Sequence, residues 1–211
     1  MDMNRIPFYQ YNTIIVGTGA AGLNAAVTLH KLGQKNIALI TEGRYMGTSR
    51  NTGSDKQTYY KMTQCGSEPD SVRKMAKTLF EGGCVDGDIA MAEAAGSLRA
   101  FYHLVDIGVP FPFNKSGEYV GYKTDHDPLK RGISAGPLTS KYMTECLERQ
   151  AEERGIPFFD GYQAVRLLTE EKDGEKRAAG IIALNKQKAA SPDERYAVFS
   201  AVNIIWATGG E

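Results

Sequence analysis

Six residues near the start of the chain, Gly17-Thr18-Gly19-Ala20-Ala21-Gly22, have the spacing GxGxxG. The spacing suits one task, which is bringing a backbone close to a pyrophosphate. The first glycine allows a tight turn. The second removes the Cβ that would hold a phosphate away. The third lets a helix pack closely on a strand. The motif alone is weak, because glycine-rich turns are common. It gains meaning from its flanks. Thr13-Ile14-Ile15-Val16 before it is a short β-branched run that reads as a buried parallel strand. Apolar residues then recur at helical spacing from Ala20 to Leu32, where Gly33 stops the helix. The unpaired N–H groups and positive dipole end of that helix would face the anion.

A second buried strand is expected over Ile37–Ile40. Strand, helix and strand within about thirty residues make a right-handed βαβ unit. A residue near the end of the second strand should meet a ribose. Glu42 lies about twenty residues beyond Gly22, at the offset expected for that role, and Thr41 beside it points to the opposite face. Only one of them can face the sugar. A carboxylate there would bind a diol and repel a 2′-phosphate. An ordinary exposed turn is the alternative reading of Glu42.

Other elements follow from spacing. The segment Gly43–Gly66 has no period and reads as a long loop, of a length that usually serves function. Val72, Met75, Ala76, Leu79 and Phe80 define an amphipathic helix, with Pro69 at a favourable first-turn position. A second helix runs from about Asp88 to Asp106. Phe113–Tyr122 carries a weak hairpin signal around Ser116-Gly117. Pro137 opens a further helix that Gly155 stops. Strands are expected at 156–159, 163–168, 178–184, 195–200 and 202–207. The last runs into Ala207-Thr208-Gly209-Gly210-Glu211. A buried strand entering a glycine turn normally belongs to the middle of a fold, so the chain is expected to be part of a longer protein.

The βαβ start, the Thr/Ser-rich loop after Glu42 and the Ala207-Thr208-Gly209-Gly210 ending together resemble the flavoprotein subunits of fumarate reductase and succinate dehydrogenase. L-aspartate oxidase and the 3-ketosteroid dehydrogenases are similar in fold. The resemblance covers Thr13 to Gly210. It implies an α/β, Rossmann-like FAD-binding fold: a parallel sheet with helices on both faces, plus a small antiparallel β-meander inserted at about 170–200. Residues 1–211 would form one FAD-binding domain, lacking the capping and C-terminal parts. The dinucleotide would be FAD. Gly17, Gly19, Ala20, Ala21, Gly22, Thr41 and Glu42 would hold its ADP half. Met46, Thr48, Ser49 and Gly53 fall in the loop that passes the flavin and pyrophosphate. Ala164 and Val165 match a strand whose backbone meets the adenine edge. Thr208, Gly209 and Gly210 match a later turn that returns to the dinucleotide.

Two departures bear on chemistry. The respiratory members join the flavin covalently to a histidine of that loop. Ser49 stands there, and no histidine lies between His30 and His103, so the FAD is expected to be non-covalent. The usual Ala-x-Gly-Gly of the loop is replaced by Asn51-Thr52-Gly53-Ser54. In the family the catalytic arginine and histidines lie beyond the Ala-Thr-Gly-Gly turn, so this chain is assigned no catalytic residue. The intact protein would exchange hydride between flavin and a small carboxylate-bearing or unsaturated substrate, with the remainder of the protein and an electron-transfer partner completing it. An NAD-dependent dehydrogenase domain and a non-catalytic nucleotide-binding fragment are the alternatives.

Composition adds limits. Lys+Arg and Asp+Glu are equal at 25 each, so no net field draws nucleic acid or an anionic membrane. No apolar run approaches membrane-span length, and no signal peptide is evident. Cys65, Cys84 and Cys146 are scattered, which suits small buried free thiols in a reducing compartment, and the chain reads as soluble and cytoplasmic. No metal site is expected. Thr124-Asp125-His126-Asp127 reads as a solvated loop and Lys130-Arg131 as a surface basic pair.

Overall fold

The computed structural model describes residues 6–54, 57–124 and 127–209. In chain order the elements are β1 (Phe8–Val16), α1 (Ala20–Lys31), β2 (Ile37–Thr41), α2 (Thr48–Asn51), β3 (Tyr59–Tyr60), α3 (Val72–Glu81), α4 (Gly87–Asp106), β4 (Gly132–Ile133), α5 (Thr139–Glu153), β5 (Phe158–Asp160), β6 (Tyr162–Lys172), β7 (Glu175–Asn185) and β8 (Tyr196–Trp206). They fall into two compact units. One comprises the described residues up to Asn51 and from Leu147 onward. The other is Thr52–Cys146.

The first unit is built on a six-stranded sheet of order β5-β2-β1-β8-β7-β6. The first four strands are parallel and the last two antiparallel. This is the Rossmann-like α/β arrangement expected from the βαβ spacing. The adjoining strands β1 and β2 are buried where both faces are covered: all five residues of β2 are buried, as are the last four of β1. Alternate side chains go to opposite faces. Ile15 faces α1, which buries Gly22, Leu23, Ala26 and Val27. Ile14, Val16 and Ile40 face the other way. They pack with Ile181, Ala183, Ala197 and Phe199 of the antiparallel strands. Fully burying each large aliphatic side chain contributes roughly 1.5–3 kcal/mol.

The sequence suggests separate strands at 195–200 and 202–207. The structure has one strand, β8. Its first half pairs antiparallel with β7, from Leu184↔Tyr196 to Gly180↔Ser200. Along most of its length it also pairs parallel with β1, from Phe8↔Val198 to Val16↔Trp206. The antiparallel strands are therefore continuous with the parallel sheet, and antiparallel pairing begins at Tyr162. The same pairing extends β1 back to Phe8, beyond the expected start at Thr13.

The second unit holds α3 and α4, which pack through Met75, Ala76, Ala90 and Ala94, and the two-stranded β3/β4 sheet. Ser71, not Pro69, begins α3: its side chain accepts from the Lys74 amide. Pro69 lies two residues before this cap, outside the helix. Asp70 takes the Arg131 guanidinium, with Nε–Oδ2 2.8 Å and Nη2–Oδ1 2.7 Å. Arg131 also reaches Tyr60, Thr78 and Asp127. It is fully buried, and Asp127 is buried too. The surface basic pair and the solvated loop read from sequence are thus corrected for these two residues. Asp125 and His126 lie outside the described residues. The expected 113–122 hairpin is replaced by a compact turn in which the Asn114 side chain accepts from the Ser116 and Glu118 amides. Cys146 is buried, but Cys84 is exposed. Among the described residues no helix is long and apolar enough to cross a membrane.

Candidate functional site

The glycine loop sits at the C-terminal end of β1, wedged between the ends of its two neighbours. The Gly17 amide donates to Ile40 O at 2.8 Å, and the Ala207 amide donates to Val16 O at 2.8 Å. These bonds leave no room for side chains. Gly17 has φ +110°, and a Cβ there would lie 2.3 Å from Ala207 O. A Cβ on Gly22 would lie 2.1 Å from Gly17 O. Gly19 precedes α1 without a capping side chain. Ser49 reaches it from α2, and its Oγ accepts from the Ala20 amide at 3.3 Å. The Ala21 and Gly22 amides have no acceptor among the described residues. The helix end is thus a donor-rich, positively polarised surface.

Thr18 ties this loop to the next strand. Its buried hydroxyl donates to Thr41 Oγ1 at 3.0 Å and lies 3.5 Å from Arg44 O. Thr41 is therefore engaged in holding the loop. Glu42 is half-exposed and pairs with Lys186 Nζ at 2.6 Å.

The segment after Glu42 reads as an irregular loop from sequence, yet it holds the helical turn α2 and is anchored by charge. Arg44 bonds Glu148 and Glu152, Arg50 bonds Glu148, and the Arg44 amide donates to Asp160 Oδ1 at 2.9 Å. The Arg44 guanidinium stacks over Phe158 at 4.0 Å. Burial alone would lower its pKa, but the two carboxylates outweigh this and hold it above the usual arginine value. The later part of the expected loop forms β3, in the second unit.

These parts enclose a cavity of about 650 Å³. Gly17, Gly19, Ala20, Ala21, Thr41, Glu42, Met46, Thr48, Ser49, Ala164, Thr208 and Gly209 all line it. Thr41 and Glu42 both reach it. Gly22 lies behind the wall, where it allows helix and loop to touch. Val165 is half-exposed and not among the lining residues. It falls at an irregularity of the β6–β7 ladder, which pairs Ala164 and Arg166 but skips Val165. Gly53 belongs to the second unit, beside Pro137 and Leu138. Gly210 lies outside the described residues.

Several lining residues were not singled out from sequence. Ile40, Val16 and Trp206 are register partners across β2, β1 and β8, so they form one row on one face. All three line the cavity, as do Tyr162 and Gln163 of β6. Trp206 is 53% exposed, although it ends a strand of the sheet's interior. The signal that could have found it is strand register: the residue opposite Val16 in a parallel neighbour must share its face. Among the described residues, no three His, Cys, Asp or Glu side chains converge as metal ligands.

Comparison with known proteins gives the same picture. The FAD binding domain family model matches residues 12–211. L-aspartate oxidase of Pseudomonas aeruginosa is 29% identical, over 96% of this chain and 38% of its own length. The mitochondrial succinate dehydrogenase flavoprotein subunit of Oryza sativa subsp. japonica is 28% identical, over 96% of this chain and 32% of its own. An E. coli quinol fumarate reductase structure superposes with a TM-score of 0.79 at 21% identity, covering 97% of this chain and 33% of that one, a likeness of fold. The chain spans about a third of the length of the relatives it matches. The match over residues 12–211, on a fold built round this glycine loop, makes the chain a member of the FAD-binding domain family.

Proposed function

We propose that the cavity at the Gly17–Gly22 loop holds FAD non-covalently, and that the chain serves as the FAD-binding portion of a flavin oxidoreductase of the kind that includes fumarate reductase, succinate dehydrogenase and L-aspartate oxidase. The observation that carries this reading is the loop itself. It lies at the C-terminal edge of a parallel sheet, and its glycines are required by backbone approaches of 2.3 and 2.1 Å to would-be Cβ atoms.

The residues present fit the cofactor part by part. The Ala21 and Gly22 amides and the α1 dipole suit a pyrophosphate. Glu42 suits the adenosine diol at the β2 end, with Lys186 fixing its carboxylate. Gln163 and Ala164, beside the skipped Val165, suit the adenine edge. Met46, Thr48 and Ser49 on one side and Trp206, Thr208 and Gly209 on the other suit the remainder, with Gly53 and Gly210 adjoining in sequence. When bound, FAD supplies hydride exchange at its N5 with a substrate carbon. The chain binds and orients the cofactor, and it keeps Ile40, Val16 and Trp206 as an apolar floor. Ser49 supports non-covalent attachment: its hydroxyl already accepts the Ala20 amide and offers no imidazole nitrogen for a flavin bond.

The catalytic acid–base residues belong to a further part of the protein, as the one-third coverage of relatives suggests. The substrate class is a small carboxylate-bearing or unsaturated molecule, and an electron-transfer partner completes the cycle. Free thiols at Cys65, Cys84 and Cys146 suit a cytoplasmic setting. The test is to titrate the chain with FAD at equilibrium and follow the visible spectrum of the flavin. A saturable spectral change supports the reading, and no change up to saturating FAD overturns it.

A further inference from the structure

We propose that Glu148 is the positioning residue of this site: by holding Arg44 and Arg50 on one carboxylate, it sets the Met46–Ser49 segment against the glycine loop before any ligand arrives. The identity of the ligand rests on the function proposed above. The ordering of the segment does not.

Arg44 and Arg50 flank the segment that lines the cavity, and both turn away from it. Glu148 Oε1 accepts from Arg44 Nε, and Glu148 Oε2 accepts from Arg50 Nη2. One carboxylate therefore closes the segment into a loop, from a helix about a hundred residues further along the chain. The three side chains are only 18%, 12% and 10% exposed, so water screens these charges little. Aromatic faces back both guanidiniums: Phe158 under Arg44 at 4.0 Å, and Tyr45 under Arg50 at 5.1 Å. Glu152 adds a second carboxylate to Arg44 alone, and is half-exposed.

The clamp controls atoms at the phosphate end. Between the two arginines, Ser49 Oγ meets the Ala20 amide at 3.3 Å. A Cβ on Gly47 would touch the Gly19 Cα at 3.9 Å. Arg44 O lies 3.5 Å from the Thr18 hydroxyl. The segment therefore touches three successive residues of the glycine loop. Each backbone residue ordered by a ligand lowers the observed affinity, because its entropy loss is charged against binding. A segment already ordered by Glu148 carries no such charge. Burying two guanidiniums is also a costly way to gain stability alone, since apolar residues of similar size often serve better. Their convergence on one carboxylate instead fixes a geometry.

The test uses the full chain, with hydrogen exchange measured without ligand and ADP as the binding probe. In the wild type, amides within 44–51 exchange slowly without ligand. In Glu148→Gln they exchange faster by about tenfold while β1 amides are unchanged, and ADP binding weakens by about tenfold. Glu148→Asp keeps the charge and recovers ADP affinity to within about threefold. A merely structural role would lower the melting temperature without moving the affinity of the folded protein. Unchanged exchange over 44–51, or unchanged ADP affinity, in Glu148→Gln overturns the proposal. If that variant does not fold, Arg50→Gln releases one end, and unchanged exchange around α2 then overturns it equally. Failure of the wild type to bind ADP or FAD would overturn the proposed function, and the exchange comparison would still decide the role of Glu148.

Discussion

Replacing Gly22 by alanine sets two effects against each other. Alanine is the better helix former by about 0.8–1 kcal/mol. The new Cβ, however, would lie 2.1 Å from Gly17 O, 3.0 Å from Gly17 C and 3.4 Å from Ile15 Cγ2. Ordinary contact starts near 3.4 Å, so the first of these is short by more than an ångström. Two of the three atoms are backbone and cannot rotate away. The first turn of α1 must move off the loop, and overpacking of this kind costs about 1–3 kcal/mol. The clash outweighs the propensity gain, and the net destabilisation is up to about 2 kcal/mol. Binding suffers separately. A hydrogen bond to a charged group contributes about 1.5–3 kcal/mol, so misplacing one donor amide weakens a pyrophosphate ligand by about tenfold to a hundredfold. Calorimetric titration with ADP, together with a thermal melt, reads both effects. Gly96→Ala is the control. Gly96 lies within α4, and no heavy atom is within 4 Å of its would-be Cβ. That variant should gain about 0.5–1 kcal/mol. Gly22→Ala binding ADP within threefold of wild type, at an unchanged melting temperature, would refute the packing argument.

Four further outcomes follow. Glu42→Ala removes the carboxylate assigned to the ribose and should weaken ADP about tenfold, read by the same titration; an unchanged affinity would pass that role to Thr41. Arg131→Met leaves Asp70 and Asp127 buried without their cation and should cost about 3–5 kcal/mol in chemical denaturation. Burial alone would raise the Asp70 pKa, but its bonds from Arg131 and from the Thr63 and Ser71 amides hold it below the usual aspartate value. A depressed folded pKa gives stability that is present above the unfolded value, near ~4, and lost as pH falls through the folded one. The melting temperature should therefore fall with acidification below about pH 4, and Asp70→Asn should flatten that slope. Acid precipitation of the flavin-loaded chain should leave all flavin in the supernatant, and flavin fluorescence in the pellet would contradict non-covalent binding.

What the sequence revealed and what it hid divide along physical lines. The glycine loop, β2 and α1 were legible because their constraints are local. A tight turn, a fully buried strand and a helix stop each show in a few consecutive residues. The continuity of β8 was not. Its first half pairs with β7 and buries alternate residues, whereas Val202 and Asn203 are exposed, so its composition changes midway as if there were two strands. Arg131 beside Lys130 looks like a surface pair, because its partner Asp70 is 61 positions away. The Glu148 clamp spans about a hundred residues and leaves no spacing signal in the segment it orders. Trp206 was hidden for a different reason. Its place in the cavity depends on parallel register with Val16, which no single strand displays.

Trp206 is the only tryptophan in the chain, and it lines the cavity. Its fluorescence therefore reports directly on what enters there. The decisive measurement is a titration of the chain with FAD followed by Trp206 emission, with ADP added afterwards as competitor. Binding of FAD along the glycine loop predicts saturable quenching at one site per chain, relieved by ADP and weakened in Gly22→Ala. Emission that does not change with FAD, or quenching that ADP cannot relieve, would contradict it.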